Sequence, residues 1–374
     1  MDTMDTAKQA PLKETSPLSK ETLSLSKETP TLSIENASLS KETLSLLKKA
    51  EKTYHDNFDG RTWYGRCIFL SWYCSVGDCR FCFRTTVKHK IKHPADSRRT
   101  MASVLLEALF CKKFNWRIEF LTGGYGIMPF EEILEIIKNV SLVYGEKIWL
   151  NLGVMGPEHL ERVRPYVKGI CASMETLTPK VHEYVCPSKP IEPYAQMLSQ
   201  LRWFKKSVAI IVGLGDKIED IKYLFDFIEK YKLNRITVYA LKPVKGTEYA
   251  NGPSLEEFVQ WLAHLRIRFP KLEIIAGTNL RRCEEAGYLM KAGANAITKF
   301  PATKQFGTEK AKLVEQLIKN EQRQFISNLT TLPEIDWDKE ISSLPLEQKH
   351  RQDMKEKIPL YLKNFGHPID ADEE

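Results

Sequence analysis

The sequence predicts a (β/α)8 barrel, and three observations support this fold class. Short β-rich runs alternate with amphipathic helical stretches from about residue 47 onward. Several of the runs are apolar on both faces, as parallel strands covered by helices are. The runs number eight, which is the count that closes such a barrel. The predicted strands are 67–72, 117–122, 147–152, 169–174, 207–213, 235–240, 272–277 and 296–300, and the predicted helices include 101–114, 130–144, 217–231, 255–268 and 280–292.

Composition divides the chain into three segments. Residues 1–46 repeat the motif LSKET with a period of seven and are interrupted by Pro17 and Pro30. The repeat has mainly one leucine seam rich in Ser and Thr, so we predict a disordered extension, with a weak helix as the alternative. Residues 47–328 form the predicted barrel, and residues 329–374 a charged tail that contains one helix.

Length and charge limit the class of protein. The chain has 374 residues, 43% of them hydrophobic, and a net charge of +7. The charge is too mild to predict nucleic-acid binding. No run approaches the ~18 apolar residues of a membrane span, and the N-terminus has no apolar signal core. We therefore predict a cytoplasmic protein without membrane contact, whose eight cysteines are thiols, metal ligands or catalytic groups rather than disulfides.

Three cysteines lie close together directly after the first predicted strand. Cys74, Cys79 and Cys82 are separated by four and then two residues in WYCSVGDCRFC (72–82). Residues that follow a barrel strand lie at the face where active sites of such barrels form. Three thiolates can hold three irons of a 4Fe–4S cluster and leave the fourth iron open for a small molecule. Phe81 is placed to pack against the cluster or a bound nucleoside.

Other uses of these thiols stay open when the residues alone are considered. A zinc site would need a fourth ligand from elsewhere, such as Cys67 or His89. A fully ligated electron-transfer cluster and unligated core cysteines are further alternatives. With a zinc ion or a fully ligated cluster, the protein could have no catalytic function and could instead be a scaffold for a partner.

The cysteine motif and the strand pattern resemble the radical SAM superfamily, specifically its biotin synthase-like branch. The resemblance covers roughly residues 45–325. In that superfamily three cysteines bind the cluster, and S-adenosylmethionine (SAM) chelates the open iron. The first gap is usually three residues, so the C-x4-C-x2-C spacing marks a variant. The resemblance implies that Cys74, Cys79 and Cys82 are the cluster ligands and that SAM is bound.

A glycine-rich segment extends the resemblance to the cofactor. LTGGYG (121–126) follows the second predicted strand and looks like the family's GGE element. Tyr125 stands where the family commonly has an acidic residue. The resemblance implies backbone contacts to the methionine part of SAM from Thr122, Gly123 and Gly124. The same glycines also suit a tight turn without a ligand.

Two later segments resemble the parts of the family that hold the nucleoside. SMETLTPKVHEYVCP (173–187) is similar to the ribose segment, which implies Glu175 as the acidic ribose ligand and Ser173 as a second polar one. AIIVGLGD (209–216) resembles GGIVGLGE, whose strand lines the adenine, and this implies Val212.

Further matches mark the fold more than the site. LKPVKGTEYA (241–250) and AGANAI (292–297) resemble segments of biotin synthase. Asp216 replaces the family's glutamate, and we predict that it caps the next helix.

The resemblance implies an enzyme that cleaves SAM reductively and abstracts hydrogen from an unactivated C–H bond. Biotin synthase takes sulfur from a second cluster, but Ser207, Trp149 and Thr278 stand at the aligned cysteine positions. A second cluster of that form is therefore not expected, and Cys186 is the best remaining candidate for an auxiliary ligand. The leading prediction is sulfur insertion in cofactor biosynthesis, as in archaeal-type lipoyl synthases. The alternative is radical rearrangement or fragmentation, as in the hydrogenase-maturase and methylornithine synthase relatives.

A basic run follows the cysteine loop. RTTVKHKIKHPADSRR (84–99) is a solvated loop or a docking surface for an acidic partner. The expected partners are a small or carrier-bound substrate, an electron donor such as ferredoxin or flavodoxin, and an acidic carrier domain or partner subunit.

Overall fold

The computed structural model describes residues 39–365, and its centre is a barrel of eight parallel strands. Each strand pairs with the next along the chain, and the eighth pairs with the first, so the sheet closes. This confirms the predicted (β/α)8 barrel. The strands are β1 (Arg61–Phe69), β2 (Arg117–Thr122), β3 (Ile148–Asn151), β4 (Val167–Glu175), β5 (Lys205–Val212), β6 (Arg235–Ala240), β7 (Glu273–Gly277) and β8 (Ala296–Thr298).

Helices cover the outside of this barrel, and a two-residue strand, β9 (Gln324–Phe325), pairs with the start of β1. No helix among residues 39–365 combines the length and the apolar character that crossing a bilayer requires. The helices are α1 (Lys41–His55), α2 (Phe83–Val87), α3 (Met101–Lys113), α4 (Phe130–Tyr144), α5 (Pro157–Val163), α6 (Pro179–Val185), α7 (Glu192–Gln200), α8 (Ile221–Tyr231), α9 (Leu255–Arg268), α10 (Ala286–Lys291), α11 (Ala302–Gln305), α12 (Glu309–Asn320), α13 (Trp337–Ser342) and α14 (Gln348–Asn364).

The first strand differs most from its prediction. The apolar run predicted a strand over 67–72, but β1 begins at Arg61 and ends at Phe69. Gly65 weakens the strand pattern in the sequence, yet the barrel needs it, because a Cβ there would lie 3.2 Å from the Cβ of Glu119. The chain leaves the barrel after Phe69, so the cysteine loop begins at the strand end.

The last LSKET repeat belongs to the folded part of the chain. α1 begins at Lys41, inside the predicted low-complexity segment 1–46. The Ser40 and Thr43 hydroxyls donate hydrogen bonds to Glu256 at 2.5 and 2.6 Å, which holds α1 against α9. The other repeats lie in residues 1–38, outside the described residues.

The predicted helix in the C-terminal tail is present as α14, which packs on α3. Aromatic rings join α3 to the tail, because Phe110 lies 5.3–5.6 Å between ring centroids from Trp337 of α13, Tyr361 of α14 and Phe365 just after α14. The tail therefore covers one side of the barrel. Residues 366–374 lie outside the described part of the chain.

Candidate active site at the carboxyl end of the barrel

The three cysteines of the motif lie on one loop between β1 and α2. All three are partly buried. The Cys82 N–H donates to the Cys79 carbonyl at 3.0 Å, and the Thr85 hydroxyl donates to the same oxygen at 2.8 Å. Cys82 then precedes the first residue of α2. These bonds fix the second half of the loop, which contains two of the three thiols.

The glycine segment after β2 is joined to the cysteine loop. The Tyr125 N–H donates to Cys74 Sγ at 3.3 Å, and the Ser75 N–H donates to the Tyr125 carbonyl at 2.9 Å. Gly124 permits this approach, since a Cβ there would lie 1.8 Å from the Tyr73 carbonyl oxygen. The structure thus brings the predicted glycine element directly onto the first cysteine.

Thr122 and Gly123, the two residues before Gly124, have other contacts. The Thr122 carbonyl accepts from the Leu70 N–H at 2.8 Å, so this group is already used. A Cβ on Gly123 would lie 2.8 Å from the Cδ1 atom of Ile127, so this glycine too is closely packed. Contacts from Thr122, Gly123 and Gly124 to SAM stay predictions.

The three cysteines suit an iron–sulfur cluster better than a single metal ion. Within residues 39–365, no three His, Cys, Asp or Glu side chains converge closely enough to hold one ion. A 4Fe–4S cluster makes a different demand, because each thiolate binds a different iron and the thiolates stand further apart. Three thiols on one loop supply the number of protein ligands that a cluster with one open iron needs.

The fourth zinc ligand considered above does not join this loop. Cys67 lies inside the barrel, where its thiol is 3.3 Å from Glu119 Oε2. Cys67 is therefore not a fourth ligand for the three loop cysteines.

Cys186 lies against the cysteine loop. Its thiol donates a hydrogen bond to Cys79, which lowers the pKa of Cys79 and raises the pKa of Cys186. The Arg80 N–H donates to the Val185 carbonyl at 2.9 Å and joins the same two segments. Phe81 packs into this apolar contact, whose other members are Val181, Val185, Ile211, Leu214, Leu241 and Tyr249. Phe81 thus faces residues that follow β5 and β6, on the side that the resemblance assigns to adenine.

The predicted ribose ligand sits at an irregular point of β4. The pairing with β5 shifts register between Ser173 and Glu175, and Glu175 has a φ of +62°. Such bulges re-aim side chains beside active sites, and strained backbone often accompanies function. Glu175 Oε1 accepts from Lys189 Nζ at 2.6 Å. Burial alone would lower the pKa of Lys189, but the Glu175 charge reverses this and raises it.

Ser173 already has a partner, since its hydroxyl donates to Asn151 Oδ1 at 3.0 Å. Val212 is buried at 2% exposure, and its carbonyl accepts from the Leu241 N–H at 2.9 Å. Both residues are near strand ends, as predicted. Their use by a nucleoside stays a prediction.

The prediction for Asp216 is wrong. Lys217 is the residue that caps the next helical turn, and its N–H donates to Asp220 Oδ2 at 3.0 Å. Asp216 is one residue too early and is buried, where its carboxylate accepts from the Thr176 hydroxyl. Burial raises the pKa of this carboxyl group.

A buried polar group fills the barrel lumen below the rim. Glu119 is 1% exposed. Its Oε1 accepts from the Thr237 hydroxyl at 2.6 Å, and the Tyr239 hydroxyl lies 3.5 Å away. Arg235 donates to the Glu119 carbonyl at 2.9 Å and stacks on Trp149 at 3.8 Å.

Two thiols share this lumen. Cys67 and Cys171 pack in one buried group with Phe120, Trp149 and Ala209. Burial raises the pKa of each thiol to about 12. Without a metal, both thiols are therefore neutral at physiological pH, and neither is an activated nucleophile.

The sequence reasoning missed three polar residues of the rim, Asn151, Lys189 and Lys299. Asn151 ends the otherwise apolar β3, and a polar residue at a strand end was the available signal. Lys189 is 14 residues from Glu175 and reaches it only through the tertiary fold. Lys299 follows β8 with a φ of +69°, which nothing in the sequence signals.

Comparison with known proteins identifies relatives of this chain. The family model described as the Biotin and Thiamin Synthesis associated domain matches residues 237–323. An uncharacterized protein of Methanocaldococcus jannaschii is 34% identical over 343 residues, which cover 87% of this chain and 95% of that protein. The biotin synthase of Chlorobium luteolum is 24% identical over 59% of this chain and 70% of its own.

Solved structures are similar in fold. A methylornithine synthase structure superposes with a TM-score of 0.60 at 21% identity, over 69% of this chain and 78% of that one. The FeFe-hydrogenase maturase HydG from Carboxydothermus hydrogenoformans has a TM-score of 0.60 at 17% identity, over 86% of this chain and 82% of its own. The matched family domain and the biotin synthase relative show that the chain belongs to the biotin synthase-like branch of the radical SAM superfamily, and its 34% identity shows that it is in one family with the M. jannaschii protein.

Proposed function

We propose that this protein cleaves SAM reductively at a 4Fe–4S cluster and removes a hydrogen atom from a carbon of a small substrate at the barrel mouth. The observation that carries the proposal is the junction of two loops. The thiols after β1 and the glycine segment after β2 are joined by the Tyr125 N–H to Cys74 Sγ contact. This places three possible iron ligands beside exposed backbone at the carboxyl end of the strands.

Cys74, Cys79 and Cys82 would hold three irons, and the Tyr125 N–H would stabilise the Cys74 thiolate. Glu175 would accept hydrogen bonds from ribose hydroxyls, with Lys189 holding its carboxylate in place. When bound, the reduced cluster and SAM supply a 5′-deoxyadenosyl radical that removes hydrogen from unactivated carbon. The chain contributes position and the exclusion of water.

In the basic run 84–99, one side chain binds the cysteine loop and others are exposed to solvent. Lys88 Nζ donates to the Ser75 and Val76 carbonyls at 2.8 and 2.9 Å, which ties the run to the cysteine loop. His89 and Lys90 are exposed beside it. An acidic electron donor of the ferredoxin or flavodoxin type would find positive charge next to the cluster there.

The filled lumen favours a small substrate. Glu119, Arg235, Trp149 and the two lumen thiols occupy the space that a fatty chain would need. Rearrangement or fragmentation of a small molecule therefore fits better than insertion of sulfur into an octanoyl chain.

Sulfur insertion is the second candidate, because relatives are named biotin synthase and because Cys67 and Cys171 lie together in the lumen. Sulfide analysis separates the two candidates. One cluster gives about four sulfides per chain, and an additional cluster gives more.

The test is anaerobic reconstitution with iron and sulfide, followed by reduction with dithionite in the presence of SAM. We expect methionine and 5′-deoxyadenosine from the wild type, and background levels from Cys82→Ala. Cys111→Ala is the matched control, because Cys111 is fully buried in α3, away from the loop, and should leave the cluster intact. A wild type that holds stoichiometric zinc without sulfide, or that holds the cluster but forms no 5′-deoxyadenosine, would overturn the proposal.

A further inference from the structure

Lys299 points across the mouth of the barrel. It follows β8, yet its Nζ lies 4.5 Å from the ring centroid of Phe69 and 5.2 Å from that of Tyr239. Phe69 ends β1 and Tyr239 belongs to β6, on two sides of β8. A side chain directed outward could not reach both rings. The ammonium group therefore stands over the lumen, and the residue is exposed at the mouth.

The backbone at Lys299 is strained. Its φ of +69° is in the left-handed region, which is unfavourable for a residue with a Cβ. Its neighbours Thr298 and Phe300 are fully buried and hold the backbone there. Glu175 has the same left-handed backbone at the end of β4. β4 and β8 are four strands apart in the closed eight-stranded ring, so the two residues face each other across the mouth.

The two sides of the mouth differ in charge. On the β4 side Lys189 is paired with Glu175 at 2.6 Å. On the β8 side no carboxylate within residues 39–365 forms an ion pair with Lys299, whose Nζ lies over the two rings. Arg84 adds a second cation 5.4 Å from the Phe69 ring, and its Nε has no hydrogen-bond partner among the described residues. This side of the mouth is therefore positively charged and aromatic.

We infer that Lys299 binds the carboxylate of the substrate, whose apolar body lies against Phe69 and Tyr239. The inference rests on the proposed function and names the substrate class of the same site. Glu175 would hold the ribose on one side, and Lys299 would hold the substrate on the other, so the carbon to be attacked lies between them. The filled lumen below limits the substrate to a small molecule.

Binding of a small acid and its amide tests this without turnover. Phenylacetate and phenylacetamide are titrated by calorimetry into the cluster-loaded, SAM-bound protein in the absence of reductant. A charge-assisted hydrogen bond should make the acid bind the wild type about tenfold more tightly than the amide. Lys299→Gln should lose this preference, and Lys299→Arg should retain most of it.

Lys232→Gln is the matched control. Lys232 is also an exposed lysine with left-handed backbone, at φ +52°, but it precedes β6 at the opposite end of the barrel. This variant should keep the full preference for the acid. Iron content and melting temperature show that each variant is folded and loaded.

Equal binding of acid and amide by the wild type, or no binding of either, would overturn the inference. So would a Lys299→Gln variant that still prefers the acid tenfold. These outcomes do not depend on 5′-deoxyadenosine formation, since no electron is supplied. A wild type that prefers the acid but never cleaves SAM refutes the proposed function and leaves the carboxylate site standing.

Discussion

The rim and the lumen of this barrel carry the same kinds of side chain in two settings. On the rim, Cys79 lies near Glu175 and Lys189. In the lumen, Cys67 lies against the Glu119 carboxylate, and Arg235 donates a hydrogen bond to the backbone carbonyl of Glu119. The pKa of the rim thiol is lowered by its hydrogen bond from Cys186. The pKa of the lumen thiol is raised to about 12, first by burial and then by the Glu119 charge.

The difference teaches that hydrogen-bond donors and burial, rather than residue type, decide whether a thiol ionises here. At the strand end, loops supply N–H and S–H donors and leave the sulfur partly open. Cys67 lies two residues before the end of β1, where burial in the barrel excludes water. The Glu119 carboxylate is the charged group that most affects its thiol. The thiolate of Cys79 is stabilised in the first setting and that of Cys67 is disfavoured in the second, whereas burial still raises the pKa of Cys82 on the rim.

The largest expected effect is on thiol reactivity. In the cluster-free protein at pH 8, iodoacetamide should label Cys79 at least about a thousandfold faster than Cys67 or Cys171, as read by peptide mass spectrometry. A thiol of pKa about 12 is ionised to about one part in ten thousand at that pH, against roughly a quarter for free cysteine. Because the pKa of Cys79 is lowered, its rate should level off at a lower pH than that of free cysteine.

Cys111 is the control for burial alone, since it is fully buried in α3 and its pKa is raised well above the usual value by burial first. It should label as slowly as the lumen thiols, and all eight cysteines should label in denaturant. Labelling of native Cys67 at the rate of Cys79 would show that the comparison between rim and lumen is wrong.

A smaller effect is expected from the lumen carboxylate. Glu119→Gln should lower the free energy of unfolding by about 2 kcal/mol, because the Thr237 hydroxyl and the Cys67 thiol lose a charged acceptor. The same change removes the charge that helps to raise the pKa of Cys67, so labelling of Cys67 should become faster. Urea denaturation measures the first quantity and mass spectrometry the second.

Thr237→Val and the double variant complete a thermodynamic cycle. If the hydroxyl acts through Glu119, the double variant should be more stable than the sum of the single losses implies. Simple additivity, or a Glu119→Gln protein as stable as the wild type, would show that this buried group is not a coupled network.

Much of the rim was predictable because its signals are local in sequence. Cys74, Cys79 and Cys82 are eight residues apart at most, and the glycine segment is identified by four neighbouring residues. The alternation of strands and helices follows from hydrophobic periodicity, which survives without tertiary information. Gly65 shows the limit, since it weakened the strand pattern although the barrel requires a residue without Cβ there.

The missed residues depend on contacts between distant parts of the chain. Lys189 meets Glu175 at the bulged end of β4, 14 residues away in the sequence, and Lys299 meets Phe69 and Tyr239 only after the barrel closes. Asp216 was assigned by its proximity to a helix start, but burial gave it the Thr176 hydroxyl instead. Local rules predict the scaffold and the motif, while closure of the barrel decides which charges face the mouth.

The smallest effect, and the one that sharpens the rim half of the comparison, concerns SAM binding. Lys189→Met should weaken SAM binding to the cluster-loaded protein about tenfold, as measured by calorimetry without reductant, because Glu175 loses the cation that orients it. Ser173→Ala should change the affinity less than about threefold, since that hydroxyl already donates to Asn151.

The same pair predicts how SAM binding depends on pH. Because the pKa of Lys189 is raised, the Lys189–Glu175 ion pair is fully present below the pKa of a free lysine and is lost only as the pH rises through the pKa of Lys189 in the folded protein. The ratio between wild type and Lys189→Met should therefore stay constant from about pH 6 to 9. If Ser173→Ala weakens binding more than Lys189→Met does, then the ribose is held by Ser173 and Asn151, and the Glu175–Lys189 pair is structural.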